Sequence, residues 1–485
     1  TARSRANCSR CAGCGRKIKT MPTYLARELG GWTGGVWSPH QPMEPITGFA
    51  FDSRLVKKGD CFVALKGAGR DGHEFLQAAR DKGAVAAIVR KAQNIEGLSQ
   101  LIVDDVLESF QLIASAHRER FLKPVIGITG SAGKTSTKDL LKHLLGDSAY
   151  ATRGNLNNHI GVPMSLLEID PVAHSAAVIE AGTSAPGEIA PLARMIDPSV
   201  SIVTLVAPAH LQRLKDLETV AREKAALLEN TRRGGMGFVP VSVMKHAAFQ
   251  KQFPCALTVL CREKPHEIHM YGAHACFYQT RLENGKLCLQ LWENGGTHTD
   301  FFMRPVSPGV AANAALAISA ARYLGRSDEQ IKSALENWSA SAMRGELREF
   351  GGSVYYLDYY NSNPASLMDA LEAFQFLASE NLPRLYVIGS MGELGEDAAL
   401  WHERAVEKLC LRSQDLALTV GEHAAAICQG LLKAGNPPSR MIAAASLAEA
   451  RTVVDAFKGA LFFKGSRTVA LEKLLPEELL ENTAH

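Results

Sequence analysis

No uninterrupted apolar run in this sequence approaches the roughly 18 residues that a membrane helix requires. Its basic start has no apolar segment behind it, so neither a membrane span nor a signal peptide is expected. An excess of one charge is missing too. The net charge of +3 comes from the first twenty residues, where Arg3, Arg5, Arg10, Arg16, Lys17 and Lys19 stand without an acid. Without those six, 47 basic residues face 50 acidic ones, which gives no electrostatic reason to expect nucleic acid as a partner. Repeats and low-complexity segments are absent. Beyond residue 20 the seven cysteines are scattered, which fits a reducing cytoplasm.

Cys8, Cys11 and Cys14 are spaced to offer three thiolates to a metal, but no fourth ligand lies nearby. Residues 1–20 are therefore read as a disordered or non-native leader. The stretch "MPTYLARELGGW" from Met21 reads as a natural beginning, with a helix through Leu25 and Leu29 ended by Gly30. What remains is an ordinary soluble composition, 46% hydrophobic and 21% charged. At about 100 to 200 residues per domain, roughly three domains are expected.

The apolar patterning divides the chain. Residues 21–122 read as a small N-terminal α/β domain, with strands at "CFVAL", "VAAIV" and "QLIVDD" around a helix at "GHEFLQAARDKGA". Residues 123–342 read as a central, doubly wound, mostly parallel α/β sheet: "VIGITG" leads into a glycine loop, "STKDLLKHLLG" is a helix closed by Gly146, and "AAVIEAG" and "VSIVTLV" follow as strands. The stretch 255–305 alternates like antiparallel strands around Asn-Gly turns and is expected to decorate this domain. Residues 343–485 read as a C-terminal Rossmann-like α/β domain with strands at "VYYLDYY", "LYVIG", "LALTVG" and "GALFFKGS".

"TGSAGKTSTK" at 129–138 has the strand, glycine turn and Lys-Thr helix start of a phosphate loop, yet it is shorter than the usual spacing. Such a turn aims backbone N–H groups and a helix N-terminus at phosphate. Gly130 and Gly133 allow close approach, Ser131, Ala132 and Ser136 complete the cradle, Lys134 would bridge the outer phosphates, and Thr135 would help hold magnesium. A tight turn that happens to contain Gly-Lys-Thr is the plain alternative.

The short form T-G-x-x-G-K-T resembles the ATP loop of the Mur ligases, and the resemblance runs over nearly the whole chain from Met21. "FDSRLVKKGDCFVALKGAGRDGHEF" (51–75) resembles the family's uridine-nucleotide segment, and "TRGNLNNHIGVPMSLLEID" (152–170) its substrate loop. "LDYYNSNPASL" (357–367), "VIGSMGELGEDAALWHERA" (387–405) and "FKGSR" (463–467) follow in the family's order. The resemblance implies three α/β domains and an ATP-dependent amide ligase of peptidoglycan synthesis. It also implies a monomer that takes UDP-MurNAc-tripeptide and D-Ala-D-Ala as substrates, with ATP and two magnesium ions.

It further implies roles for particular residues. Ser53 and Arg54 fall in the uridine-nucleotide segment; a surface turn is their alternative. Asn157, Asn158 and His159 would meet the sugar-peptide, against a reading as turn-forming residues. Glu180, at the carboxyl end of a strand, and His210 would bind metal, and Lys224 falls on the lysine carried as a carbamate, so that with Thr135 they form the metal set. Lys134, Lys224, His210 and Glu180 are the expected catalytic group. Asn313, Arg344 and Asp358 fall on ATP, and Asn361 and Asn363 on the region of ATP and the incoming dipeptide, as do Glu393, His402, Lys464 and Ser466.

Departures qualify this pattern. The family's adenine-side His-Asn pair is replaced by Gly309 and Val310, an asparagine by Leu205, the acid after the carbamylated lysine by Ala226, and Asn-His after the metal glutamate by Ser184-Ala185. Two alternatives stay open. One is a MurE-type ligase adding an amino acid, against which the missing D-N-P-R motif speaks. The other is a nucleotide-binding scaffold without ligase activity.

Overall fold

The computed structural model describes residues 22–67, 69–262, 274–293, 297–340 and 343–480; residues 1–21 with Cys8, Cys11 and Cys14, and Asn294-Gly295, lie outside them. Residues up to 106, with 170–173, form one compact unit, and the remainder forms another.

The first unit holds α1 (Ala26–Thr33) and a sheet of β1 (Val36–Ser38), β2 (Gly48–Ala50), β3 (Asp60–Val63), β4 (Ala86–Val89) and β5 (Ser99–Ile102), with α2 (Leu76–Asp81) between β3 and β4. The order is β1-β5-β4-β3-β2, parallel except for β1. The first helix does not end at Gly30. Glu28 reaches back to the Leu25 N–H at 3.0 Å and secures the first turn, and the chain leaves the helix only at Gly34, whose φ of 69° suits glycine.

The second unit begins with α3, which starts at the unit boundary (Val106–Glu119), and carries two sheets. The larger follows as β6 (Val125–Thr129), α4 (Lys134–Leu145), β7 (Ala149–Ala151), α5 (Gly161–Leu167), β8 (Ala176–Glu180), α6 (Ile189–Ile196) and β9 (Val200–Val203). Next come α7 (Leu211–Leu214), α8 (Leu217–Glu229), β10 (Met236–Pro240), β11 (Ala256–Cys261), β12 (His274–Glu283), β13 (Lys286–Glu293), β14 (His298–Met303), α9 (Pro308–Tyr323) and α10 (Asp328–Glu336). Its strand order is β14-β13-β12-β11-β10-β9-β6-β8-β7. The stretch expected to decorate the domain instead extends its sheet: β10, β11 and β12 pair in parallel, and only β12 to β14 are antiparallel. Asn284 and Gly285 make the tight turn between β12 and β13, both at positive φ (51° and 74°), as a two-residue hairpin requires.

The smaller sheet comprises β15 (Glu346–Phe350), β16 (Ser353–Asp358), β17 (Arg384–Gly389), β18 (Leu416–Val420), β19 (Met441–Ala444) and β20 (Ala460–Lys464). It is ordered β15-β16-β20-β17-β18-β19 and is parallel except for β15; α11 (Pro364–Leu377) follows β16 and α12 (Ala398–Val406) follows β17. Two strands here escaped the apolar pattern. β15 is a half-exposed edge with charged residues, and β19 is four residues long.

Both sheets place their loops for function. β6 lies between β8 and β9, with chain crossing to either side, so the turn after Thr129 opens at the switch point where α/β sheets bind ligands. Ile126, Ile128, Leu140, Leu141 and Leu144 are fully buried beneath it and tie β6 to α4. Among the described residues no helix is long and apolar enough to cross a membrane.

Candidate functional site

A cleft of about 910 Å³ opens over the carboxyl end of β6, lined by residues 131–136, strand ends of the larger sheet, and Arg344, Asp358, Asn361, Asn363 and Lys464 of the smaller-sheet module. The loop at its floor is shaped by close contacts. Gly130 has φ 152°, and a Cβ there would fall 1.9 Å from Thr204 Oγ1; Gly133 has φ 79°, and a Cβ would fall 2.3 Å from Asn313 Nδ2. Both positions therefore require glycine.

Side chains then fix the loop's peptide planes. Lys134 Nζ donates to Gly130 O at 2.8 Å, and Thr204 Oγ1 donates to Ala132 O at 2.5 Å. Ser131 lines the cleft and is tied into the protein on several sides. Its N–H goes to Leu205 O (2.8 Å), its hydroxyl exchanges hydrogen bonds with Ala207, and its carbonyl accepts from Asn363, so its polar groups serve the fold. Leu205 thus contributes through its carbonyl where the family has an asparagine.

Glu180 ends β8 almost fully buried and anchors the other wall. Its carboxylate accepts from Thr135 Oγ1 (2.9 Å) and from Asn157 Nδ2 (2.7 Å), and its N–H donates to Thr152 Oγ1 (3.0 Å). Asn157, expected on the sugar-peptide, lines the cleft and orients this carboxylate. Asn158 and His159 both line the cleft, and Asn158 Oδ1 accepts from the Ile160 and Gly161 N–H groups at the start of α5.

Lys224 is 2% exposed on α8, and among the described residues its ammonium has no hydrogen-bond or ion-pair partner. Burial first, and the neighbouring Lys134 charge next, drive its pKa well below the ordinary lysine value, against the pull of Glu223, Glu188 and Glu180. Burial likewise lowers the Lys134 pKa, which Glu180 opposes and Arg344 reinforces. His210, at φ 55°, pairs through Nδ1 with Glu393 of the smaller-sheet module; burial lowers its pKa more than Glu393 raises it. Glu188, which sequence patterning missed, also lines the cleft. Burial pushes its pKa up, but the Ser184 and Ala185 N–H groups and the Thr183 hydroxyl outweigh this and lower it.

Across the cleft, Arg344 stacks 4.1 Å from the Tyr360 ring centre, and Asp358 forms a 2.9 Å ion pair with Lys464, which also donates to Asn361 O. Burial raises the Asp358 pKa against Lys464 and Arg344. Asn363 donates to Ser131 O at 3.0 Å. The missing side chain at 309 has a cause in space: Gly309 N–H donates to Asp369 Oδ1 at 2.7 Å, and a Cβ would lie 2.7 Å from Asp369 Oδ2. Ser53 and Arg54 belong to the other compact unit, where Arg54 is exposed and forked onto Asp52, whose pKa it holds down at about 2.

A magnesium ion would be held mainly by oxygen ligands. Thr135 and Glu180 are joined here, whereas His210 and Lys224 make no bond to either. Among the described residues no cluster of three His, Cys, Asp or Glu side chains gathers for a metal. Such a set fits a hard cation only if phosphate oxygens or a modified Lys224 supply the rest.

A closed phosphate loop facing a buried carboxylate, with a second α/β module across the cleft, defines a nucleotide-dependent enzyme of several modules. Models of the Mur ligase family match in succession along the chain: its catalytic domain at residues 45–127, its middle domain at 128–321 and its glutamate ligase domain at 343–466. The chain belongs to the Mur ligase family. It is 30% identical to a UDP-N-acetylmuramoyl-tripeptide–D-alanyl-D-alanine ligase of Synechocystis sp. (strain ATCC 27184 / PCC 6803 / Kazusa), over 90% of this chain and 93% of that one. It is 29% identical to the ligase of the same name from Bacillus subtilis (strain 168), over 93% and 96%. A crystal structure of MurF from Acinetobacter baumannii superposes with a TM-score of 0.82 at 27% identity, covering 95% of this chain and 100% of that one.

Proposed function

We propose that this chain is a MurF-type ligase, which uses ATP to join D-alanyl-D-alanine to UDP-N-acetylmuramoyl-tripeptide. The observation that carries the reading is the convergence on one cleft of the phosphate loop, the buried Glu180 and the Arg344–Asp358–Lys464 wall. Relatives named for this reaction over nine-tenths of the chain support the choice of substrates.

The loop's free amides and Lys134 would bind the outer phosphates of ATP and stabilise charge as the γ-phosphoryl group passes to the tripeptide carboxylate, forming an acyl phosphate. The D-Ala-D-Ala amine then attacks the acyl carbon, the new C–N bond forms, and phosphate leaves. Thr135, Glu180 and His210 would hold magnesium, which when bound neutralises phosphate charge. Burial that lowers the pKa of Lys224 favours its neutral amine over the ammonium. The amine is the form that adds carbon dioxide, releasing a proton and leaving an anionic carbamate, and this supports Lys224 as a modified ligand. The modules on either side of the cleft would exclude water, which would otherwise hydrolyse the acyl phosphate. In the N-terminal unit, Ser53 and Arg54 are assigned to the uridine diphosphate end. Arg54 would exchange its Asp52 partner for phosphate.

Phosphate release from ATP that requires both UDP-MurNAc-tripeptide and D-Ala-D-Ala tests the reading. Release driven by a single amino acid instead would make this a MurE-type ligase, and no release with any acceptor would leave a scaffold.

A further inference from the structure

One hydrogen bond from the cap of helix α11 ends on the phosphate loop, and another from within the helix ends on α9, which backs that loop. At the start of α11, Asn363 caps the helix through Oδ1, which accepts from Ser366 N–H at 2.9 Å, and uses its amide to donate to Ser131 O at 3.0 Å. A peptide plane is rigid and trans, so tying down the Ser131 carbonyl turns the Ala132 N–H the opposite way. Ala132 lines the cleft, and its own carbonyl is tied by Thr204, which sets the Gly133 N–H by the same argument. Two successive donors of the cradle are therefore aimed by side chains outside the loop, one of them from the C-terminal module.

The second contact is indirect. Asp369 accepts the Gly309 N–H at 2.7 Å, in the first turn of α9, where Ser307 Oγ takes the Val310 N–H. A carboxylate suits that helix end. One turn further along α9, Asn313 presses on Gly133, where even a methyl group would overlap its amide. Asp369 thus seats the helix whose side chain backs the loop's second glycine. Gly309 is what admits it, because any Cβ there would strike the Asp369 carboxylate.

We propose that Asn363 and Asp369 are positioning residues for ATP, so that the phosphate loop presents its amides fully only while α11 is docked against it. This rests on the reading of the loop as the ATP site. It narrows the placement of Asn363 from the region of ATP and the incoming dipeptide to ATP, and it makes nucleotide affinity depend on the C-terminal module even where that module touches no phosphate.

Asn363→Ser tests it with the full chain. Serine keeps a helix cap, stays neutral and is too short to reach Ser131 O. ATP affinity by calorimetry with magnesium should fall about tenfold, near 1.4 kcal/mol. The melting temperature and the KM for D-Ala-D-Ala should stay close to the parent's. Gly309→Ala should also weaken ATP binding, and the pair Gly309→Ala with Asp369→Ala should bind no worse than Asp369→Ala alone, because the clash is gone. Unchanged ATP affinity in Asn363→Ser, a loss confined to the D-Ala-D-Ala KM, or additive losses in the pair would each overturn the proposal. Lys134→Ala run alongside separates the two levels: if it binds ATP like the parent, the loop is not the nucleotide site and both readings fall together.

Discussion

Acidification should loosen the loop that carries Glu393 to His210, and one histidine sets the size of the effect. His402 is fully buried on α12. Its Nε2 accepts the Met391 N–H at 2.7 Å, and its Nδ1 lies 2.6 Å from Ala398 O, so the ring is neutral with its proton on Nδ1. A second proton would set two donors against each other at Met391. Burial is the main cause that lowers its pKa from 6.5 to about 4; the Ala398 carbonyl opposes it, and His423, with its ring 4.4 Å away, adds to it. Between those values the unfolded chain takes up a proton that the folded chain refuses. Stability is therefore whole above pH 6.5 and is lost as pH falls toward 4. The difference is worth about 3 kcal/mol in full and about 2 kcal/mol by pH 5. His402→Gln provides the comparison, since an amide can accept from Met391 and donate to Ala398 without titrating. A chain of several modules is poorly served by one unfolding curve, so amide hydrogen exchange over 386–406 is the suitable assay. The ratio of exchange rates, parent over variant, should rise roughly thirtyfold from pH 7 to pH 5. An equal ratio at both pH values would refute the account, because it would mean that the imidazole does not stay neutral while the loop is closed.

Lys134→Ala should abolish turnover while the circular dichroism spectrum and melting temperature stay near the parent's; full activity would remove the loop from the mechanism. Lys224→Ala should be nearly inactive and recover in part when short carboxylates are added, which would supply the missing anionic oxygen; parental activity without them would exclude a carbamate. Gly133→Ala should weaken ATP binding by more than tenfold, since a left-handed alanine costs about 1 to 2 kcal/mol before its methyl group displaces the Asn313 amide; calorimetry checks this.

What could be read from the sequence and what could not divide along a physical line. The loop "TGSAGKT", Glu180 at a strand end and the helix closed by Gly146 are local features. Their spacing encodes strand, turn and helix, and the structure places loop and carboxylate together. Lys224 was legible only through family likeness, because nothing in "REKAALL" distinguishes a buried lysine from an exposed one. The contacts that bring the second wall to the cleft join residues far apart in the chain: Asn363 to Ser131 across 232 positions, His210 to Glu393 across 183, Gly309 to Asp369 across 60. No periodicity reports such pairs. Gly309 shows the cost of reading one side alone. In the sequence it is a missing histidine and an argument for a scaffold without activity. In the structure it is the position whose N–H meets the Asp369 carboxylate of α11 and where a Cβ would have no room. Asn157 likewise has a partner that its sequence context does not announce, the Glu180 carboxylate. Asn157 and Glu180 meet inside the larger-sheet module and Gly309 meets Asp369 across two modules, so in both cases the partner is set by tertiary packing that the local pattern does not report.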